Sequence, residues 1–214
     1  MKLTKTSAAI AFAVAACTFS QASYAEVSAN VGLVSEYHFR GIQQTSSASA
    51  SAGLDYEEGG FYLGTWVADV EDGLEIDFYG GYGFDISEDV SASIGVTTYQ
   101  YTGDFDSAYN ELNLGLGWGM LSIEYTIGEW DDDADLGIPG GDYTFLGLTL
   151  EHEGFYGTFG TFGDEADGEY FEVGYGTEIG GFDAGISMVF ADSDLGGGES
   201  DETILFSIGK SFSL

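Results

Sequence analysis

From Glu26 onward the chain divides into twelve short segments in which apolar and polar residues alternate with a period of two, and the connections between them alternate as well. Long acidic connections are followed by short Gly-rich ones along the whole length. Period-two alternation predicts half-buried strands. The second alternation is what most constrains the fold. A barrel crossing a membrane has two unlike rims, one with short turns and one with longer loops, whereas a soluble sheet protein has little reason to keep its connections in two sets. The expected fold is all-β: a transmembrane antiparallel up-and-down β-barrel of 12 strands.

The segments run over 27–40, 49–57, 61–69, 74–84, 90–100, 109–118, 121–129, 143–152, 155–163, 169–179, 182–191 and 202–214. Leu112, Leu114, Leu116 and Trp118 alternate with Glu111, Asn113, Gly115 and Gly117. Leu121, Ile123, Tyr125 and Ile127 alternate with Ser122, Glu124, Thr126 and Gly128. A lipocalin-like barrel would alternate similarly with its apolar face inward. Three features favour the inverted arrangement. The polar face is rich in Gly, Ser and acids, aromatics cluster near strand ends as interfacial girdles do, and the strand count is even. The short connections, among them Gly119-Met120, Glu153-Gly154 and Gly180-Gly181, fall on the side of both termini, expected to be periplasmic. The others, such as 102–108, 130–142, 163–168 and 192–201, would be outer loops. Pro139, the single proline, lies in the longest of them, where it removes no ladder hydrogen bond.

Lys2 and Lys5, the apolar stretch from Ala8 to Ala16, and the small residues of Ser23-Tyr24-Ala25 read as a secretory signal peptide over residues 1–25. A rival reading is a lipobox at Val14-Ala15-Ala16-Cys17, which would leave a lipid on Cys17. Cys17 is the single cysteine, so no intrachain disulfide is available. After Glu26 no apolar run approaches the ~20 residues of a spanning helix, so a membrane form of this chain has to be a closed barrel. Beyond residue 25 the basic residues are Arg40 and Lys210, against 37 acids in the chain. Nucleic-acid binding, which needs a basic footprint, is excluded.

Acids on strands are costly on the lipid face and therefore belong to the lumen. The expected lumen and selectivity set is Glu36, His38, Arg40, Glu75, Asp77, Glu111, Glu124 and Glu172. Twelve tilted strands enclose a backbone diameter of roughly 24 Å, narrowed by side chains to ~10 Å. An acidic bore concentrates cations. Arg40, at the outer end of the first segment, is expected to pair with Glu36, Glu75 or Asp77 and set a constriction, or else simply to cap the strand. Acidity throughout is equally what a salty habitat selects.

Asp131, Asp133, Asp135 and Asp142 occupy positions one, three, five and twelve of an EF-hand-like loop, but position six is Leu136 and position twelve is not Glu, so no metal site or cofactor is expected. Looser divalent bridging to lipopolysaccharide is the alternative role for such loops. An enzyme would need His with Ser or Asp at one rim. The two histidines, His38 and His152, fall at opposite ends of their strands and cannot meet. The expected function is a porin-like channel and not an enzyme; the other reading is a plugged structural or adhesive barrel, which inward aromatics such as Tyr56, Trp66 or Tyr175 would favour.

The run Ser35-Glu36-Tyr37-His38-Phe39-Arg40-Gly41-Ile42-Gln43-Gln44-Thr45 resembles the first-strand motif of the proteobacterial TorF-type porin family, also called Gcw_chp, and 75–82 is similar as well. The usual Pro-Ala at the start of the second strand is replaced by residues 47–53. The resemblance implies an outer-membrane barrel and a pore without an assigned substrate. The ending Gly209-x-x-Phe212-x-Leu214 resembles the signal read by the barrel-assembly machinery, with Leu in place of the commoner final Phe. It implies that machinery as a partner; the barrel reading adds the lipid bilayer, and the acidic outer loops add lipopolysaccharide.

Overall fold

The computed structural model describes residues 25–195 and 198–214, so the expected signal peptide and Cys17 lie outside the described residues. Twelve strands close into an antiparallel barrel: β1 (Glu26–Val34), β4 (Ser49–Glu58), β5 (Phe61–Asp69), β6 (Leu74–Asp85), β7 (Val90–Thr102), β8 (Tyr109–Trp118), β9 (Leu121–Trp130), β10 (Gly141–His152), β11 (Phe155–Asp164), β12 (Glu169–Ile179), β13 (Phe182–Ala191) and β14 (Asp201–Ser213). Two further strands, β2 (His38–Phe39) and β3 (Ile42–Gln43), form a separate miniature hairpin. Each barrel strand pairs with its neighbour in sequence, and β1 closes the ring on β14 with Ser28 opposite Ser213. No helix among the described residues is long and apolar enough to cross a membrane.

The period of two decides which face each side chain takes. Val31, Leu63, Val96, Ile127 and Phe206 are all exposed on the outer surface. Glu75, Asp77, Glu111 and Thr126 are buried inside. A wall that is apolar outside and polar inside is the pattern of a barrel standing in lipid. Tyr56 and Tyr175 are on the outer face, at the expected register; Trp66 points inward, where it meets Tyr37 edge-on at 5.6 Å.

The interior is unequal along the barrel axis. Near the rim that carries both termini the inward positions are small, as at Ser91, Ser93, Gly115 and Gly117. Several inward glycines there lie under tilted tyrosine rings. At Gly95 a Cβ would fall 2.1 Å from the Tyr62 hydroxyl, so the ring occupies the space that a side chain would need. The buried clusters sit toward the far rim. One is built on Phe145, Tyr170, Val189 and Ala191, the other on Tyr37, Ala68 and Val70.

One expectation is corrected. The first strand does not continue to residue 40; it ends at Val34, and residues 35–48 leave the wall and fold into the bore. Val34 already pairs with Ser49, so the wall is complete without this segment. Both of its ends are tied to the far rim. Ser35 exchanges hydrogen bonds with Phe206, its N–H donating to the carbonyl and its hydroxyl accepting from the Phe206 N–H. Glu71, in the β5–β6 connection, accepts from the Ser46 N–H at 2.6 Å and from the Ser46 and Ser47 hydroxyls.

Candidate functional site: a hairpin across the bore

Phe39 and Ile42 pair across a two-residue turn of Arg40 and Gly41, whose φ values are 48° and 83°. Positive φ at both central positions makes a type I′ turn, the geometry suited to tight hairpins. Arginine is an unusual first residue for it and costs ~1–2 kcal/mol in the left-handed region. Gly41 has a second reason to be glycine: its α-carbon lies so close to Tyr170 that a Cβ would fall 2.6 Å from that ring system. The base of the hairpin is closed by the Tyr37 N–H donating to the Thr45 hydroxyl at 2.8 Å and the Gln44 N–H donating to the Tyr37 carbonyl at 2.8 Å.

The hairpin spans the bore. At one side the Tyr37 hydroxyl donates to Glu75 on β6 at 2.7 Å; at the other Gly41 rests on Tyr170 of β12. These strands are six apart in a ring of twelve, and so face each other. Between them Arg40, 2% exposed, reaches the wall. It donates to both oxygens of Glu111 on β8, to Glu124 on β9 at 2.6 Å and to the Thr126 hydroxyl at 3.1 Å. Its guanidinium carbon lies 4.4 Å from the centre of the Phe145 ring and 4.8 Å from Phe39. Glu111 also accepts from the Tyr99 and Tyr143 hydroxyls. Charge-assisted bonds of this kind are the strong ones, and exclusion of water strengthens them further.

The remaining expected lumen residues are distributed as follows. Glu36 accepts from Gln43 at 2.8 Å and approaches His38 at 3.7 Å. Asp77 is buried with one oxygen lacking a hydrogen-bond partner. Glu172 accepts from the Tyr156 hydroxyl at 2.6 Å. Arg40 therefore pairs with Glu111 and Glu124, not with Glu36, Glu75 or Asp77, and Glu36, His38 and Arg40 belong to the hairpin segment and not to β1. The reason is the turn at Arg40-Gly41, which aims the guanidinium at the β8–β9 wall. Thr126 and Phe145 complete the arrangement and were not singled out from the sequence, whereas Tyr99, Tyr143 and Tyr170, strand-end aromatics expected in the interfacial girdles, are buried inside, because they share the inward parity of the wall carboxylates. A signal existed for Phe145: it shares the inward parity of Glu151 on β10, where a large aromatic is out of place among small residues.

His38 is buried, and neither ring nitrogen has a hydrogen-bond partner. No serine is bonded to it, and His152 is exposed at the terminal end of β10. In the 130–142 loop the Asp133 carboxylate accepts from the Asp135 and Leu136 N–H groups, closing a turn, and the Trp130 indole donates to the Pro139 carbonyl. Among the described residues no three His, Cys, Asp or Glu side chains, Asp131, Asp133, Asp135 and Asp142 included, are grouped to hold a metal ion.

Burial pushes the His38 imidazole below its ordinary value, against the opposing pull of Glu36, of Asp201 on β14 and of Glu172 on β12. At His38, therefore, the docked hairpin binds fewer protons than a withdrawn one. The His38 contribution to docking is present in full above the ordinary histidine value of ~6.5 and is lost as pH falls below it. Protease cleavage within 35–48 is expected to accelerate on acidification from about pH 7.5 to 5.5, and the His38→Gln variant to flatten that profile. An unchanged profile in the variant would place the dependence elsewhere.

A family described as a bacterial protein of unknown function, Gcw_chp, matches residues 19–209. The chain belongs to this family. The Gcw_chp match takes in the whole barrel up to Gly209 and the in-folded hairpin with it. A comparison with curated proteins found no match. Among solved structures the Gcw_chp barrel is similar to OprD of Pseudomonas aeruginosa, at 12% identity and a TM-score of 0.43 over 88% of this chain and 67% of that one. It is also similar to OccAB2 of Acinetobacter baumannii, at 12% identity and a TM-score of 0.46 over 81% and 57%. A third is OccK2 (OpdF) of Pseudomonas aeruginosa, solved in complex with glucuronate, at 15% identity and a TM-score of 0.40 over 79% and 58%. The chain thus spans between 57% and 67% of these neighbours' lengths.

Proposed function

We propose that this chain is an outer-membrane channel for passive diffusion of small solutes, with an acidic lumen that favours cations and a constriction made by residues 35–48. The observation that carries the reading is the inverted wall. Its outside is apolar, its inside carries Gly, Ser and carboxylates, and the bore is crossed by a segment that the wall does not need for closure. The rim with the termini faces the periplasm and the far rim faces outward. The terminal Gly209, Phe212 and Leu214 would engage the assembly machinery, and the far-rim acids would meet lipopolysaccharide through divalent ions. No catalytic role is assigned to any residue.

Carboxylates at Glu36, Glu75, Glu111, Glu124 and Glu172 share the bore with one guanidinium, so low-dielectric walls focus a negative potential there. In a planar bilayer with a tenfold KCl gradient, the reversal potential is expected to have the sign of potassium selectivity, approaching the ~59 mV limit for a monovalent cation. A potential of the opposite sign would remove the cation reading. The plugged-barrel alternative is favoured by the inward aromatics around Tyr37 and Phe145; absence of conductance even after the hairpin is excised would establish it.

A further inference from the structure

Apart from Phe39, everything that recognises the Arg40 guanidinium belongs to the wall. Glu111 and Glu124 supply carboxylate oxygens, Thr126 a hydroxyl, and Phe145 a ring face at 4.4 Å. These residues sit on β8, β9 and β10, whose ladders are continuous and independent of the hairpin. Glu111 is in turn oriented by hydroxyls from Tyr99 and Tyr143, also in the wall. The cradle is therefore complete without the segment that fills it. Its chemistry is selective: two carboxylates placed to take separate N–H edges of a flat cation, with an aromatic face beside it, suit a guanidinium far better than a compact ammonium.

Two details extend this to ligands other than Arg40. The Arg40 Nε is buried without a hydrogen-bond partner, so the wall reads the terminal nitrogens and makes no demand on the atom through which the chain is attached. The Glu124 side chain keeps a fifth of its surface exposed, whereas those of Arg40 and Glu111 keep almost none, so the cradle opens to the bore on the Glu124 side.

We propose that Glu111, Glu124, Thr126 and Phe145 form a guanidinium-binding site in the wall, that Arg40 is its tethered occupant, and that small guanidinium-bearing solutes are the ligands it takes when the hairpin withdraws. Their passage as cargo rests on the channel reading; their binding does not. A tethered group acts at an effective concentration on the order of millimolar or more, so a free solute competes with Arg40 only at comparable levels.

The test empties the cradle while keeping the turn. Arg40→Asn creates Asn-Gly, the dipeptide best suited to type I′ geometry. Agmatine and putrescine, dications that differ by a guanidinium in place of an ammonium, are titrated calorimetrically into the refolded protein. Folding is checked by heat-dependent gel mobility, and Arg40→Gly, which also accepts positive φ, serves if Arg40→Asn does not fold. The emptied variant is expected to bind agmatine at least about tenfold more tightly than putrescine, since the fork of carboxylates is bidentate for guanidinium alone. Wild type is expected to bind agmatine at least about tenfold more weakly than the variant, and addition of Glu111→Gln and Glu124→Gln to abolish binding. Equal affinity for the two amines, no binding by the folded variant, or agmatine binding that survives loss of both carboxylates would overturn the proposal. Binding by a variant that never conducts would remove the channel reading and leave the site. Conductance with no preference for agmatine would do the reverse.

Discussion

Replacing residues 35–48 by a two-residue Asn-Gly turn is expected to raise single-channel conductance by on the order of tenfold, because an occluded bore becomes one ~10 Å wide. The barrel should tolerate the excision. Val34 and Ser49 are paired across adjacent strands, so a type I′ turn can join them with no change in register. What is lost is the crossing itself, from Tyr37 and Glu75 on one side to Gly41 and Tyr170 on the other. Cation preference should persist, since Glu75, Asp77, Glu111 and Glu124 stay in the wall, and Glu111 and Glu124 lose their guanidinium partner. Conductance indistinguishable from wild type would show that the hairpin is not the barrier to ions.

Glu111→Ala is expected to undock the hairpin without unfolding the barrel. The Glu111 side chain has no exposed surface and accepts from Arg40, Tyr99 and Tyr143. Stripping one partner from a buried pair costs about 3–5 kcal/mol, and the low end applies here because Glu124 keeps hold of Arg40. About 3 kcal/mol shifts the docking equilibrium by roughly a hundredfold, which protease cleavage within 35–48 reads directly. Glu111→Gln, which still accepts hydrogen bonds, should show a smaller change. Arg40→Ala combined with Glu111→Ala should be less than additive, because the second change removes an interaction already broken. Full additivity would mean that the two side chains do not depend on each other.

The docked hairpin carries unfavourable terms that locate its purpose. Arg40 sits at positive φ, His38 is buried without hydrogen-bond partners, and one Asp77 oxygen is buried without one. Each is a departure from what a purely structural plug would use, and such departures collect where a segment has to hold one position and be able to leave it. The acid-promoted release expected through His38 and the guanidinium site under Arg40 are two routes to the same withdrawal.

Much of the fold was legible in residue order because period-two alternation is a local property. Leu112 to Trp118 and Leu121 to Ile127 declare their outward faces without reference to any other strand, and the parity of Glu75, Asp77, Glu111, Glu124 and Glu172 follows from their neighbours. The number of strands and their up-and-down order came from the same source. The course of residues 35–48 could not. Glu36, Tyr37, His38, Phe39 and Arg40 alternate as a strand does, so nothing local separates a continued β1 from a hairpin folded inward. That outcome depends on a left-handed turn at Arg40-Gly41 and on partners 71 to 86 residues away in sequence. Alternation by itself determined the wall, because each face is chosen by adjacent residues. Only the tertiary structure decided what crosses the bore, because Arg40 meets Glu111, Glu124 and Phe145 only after the ring has closed around it.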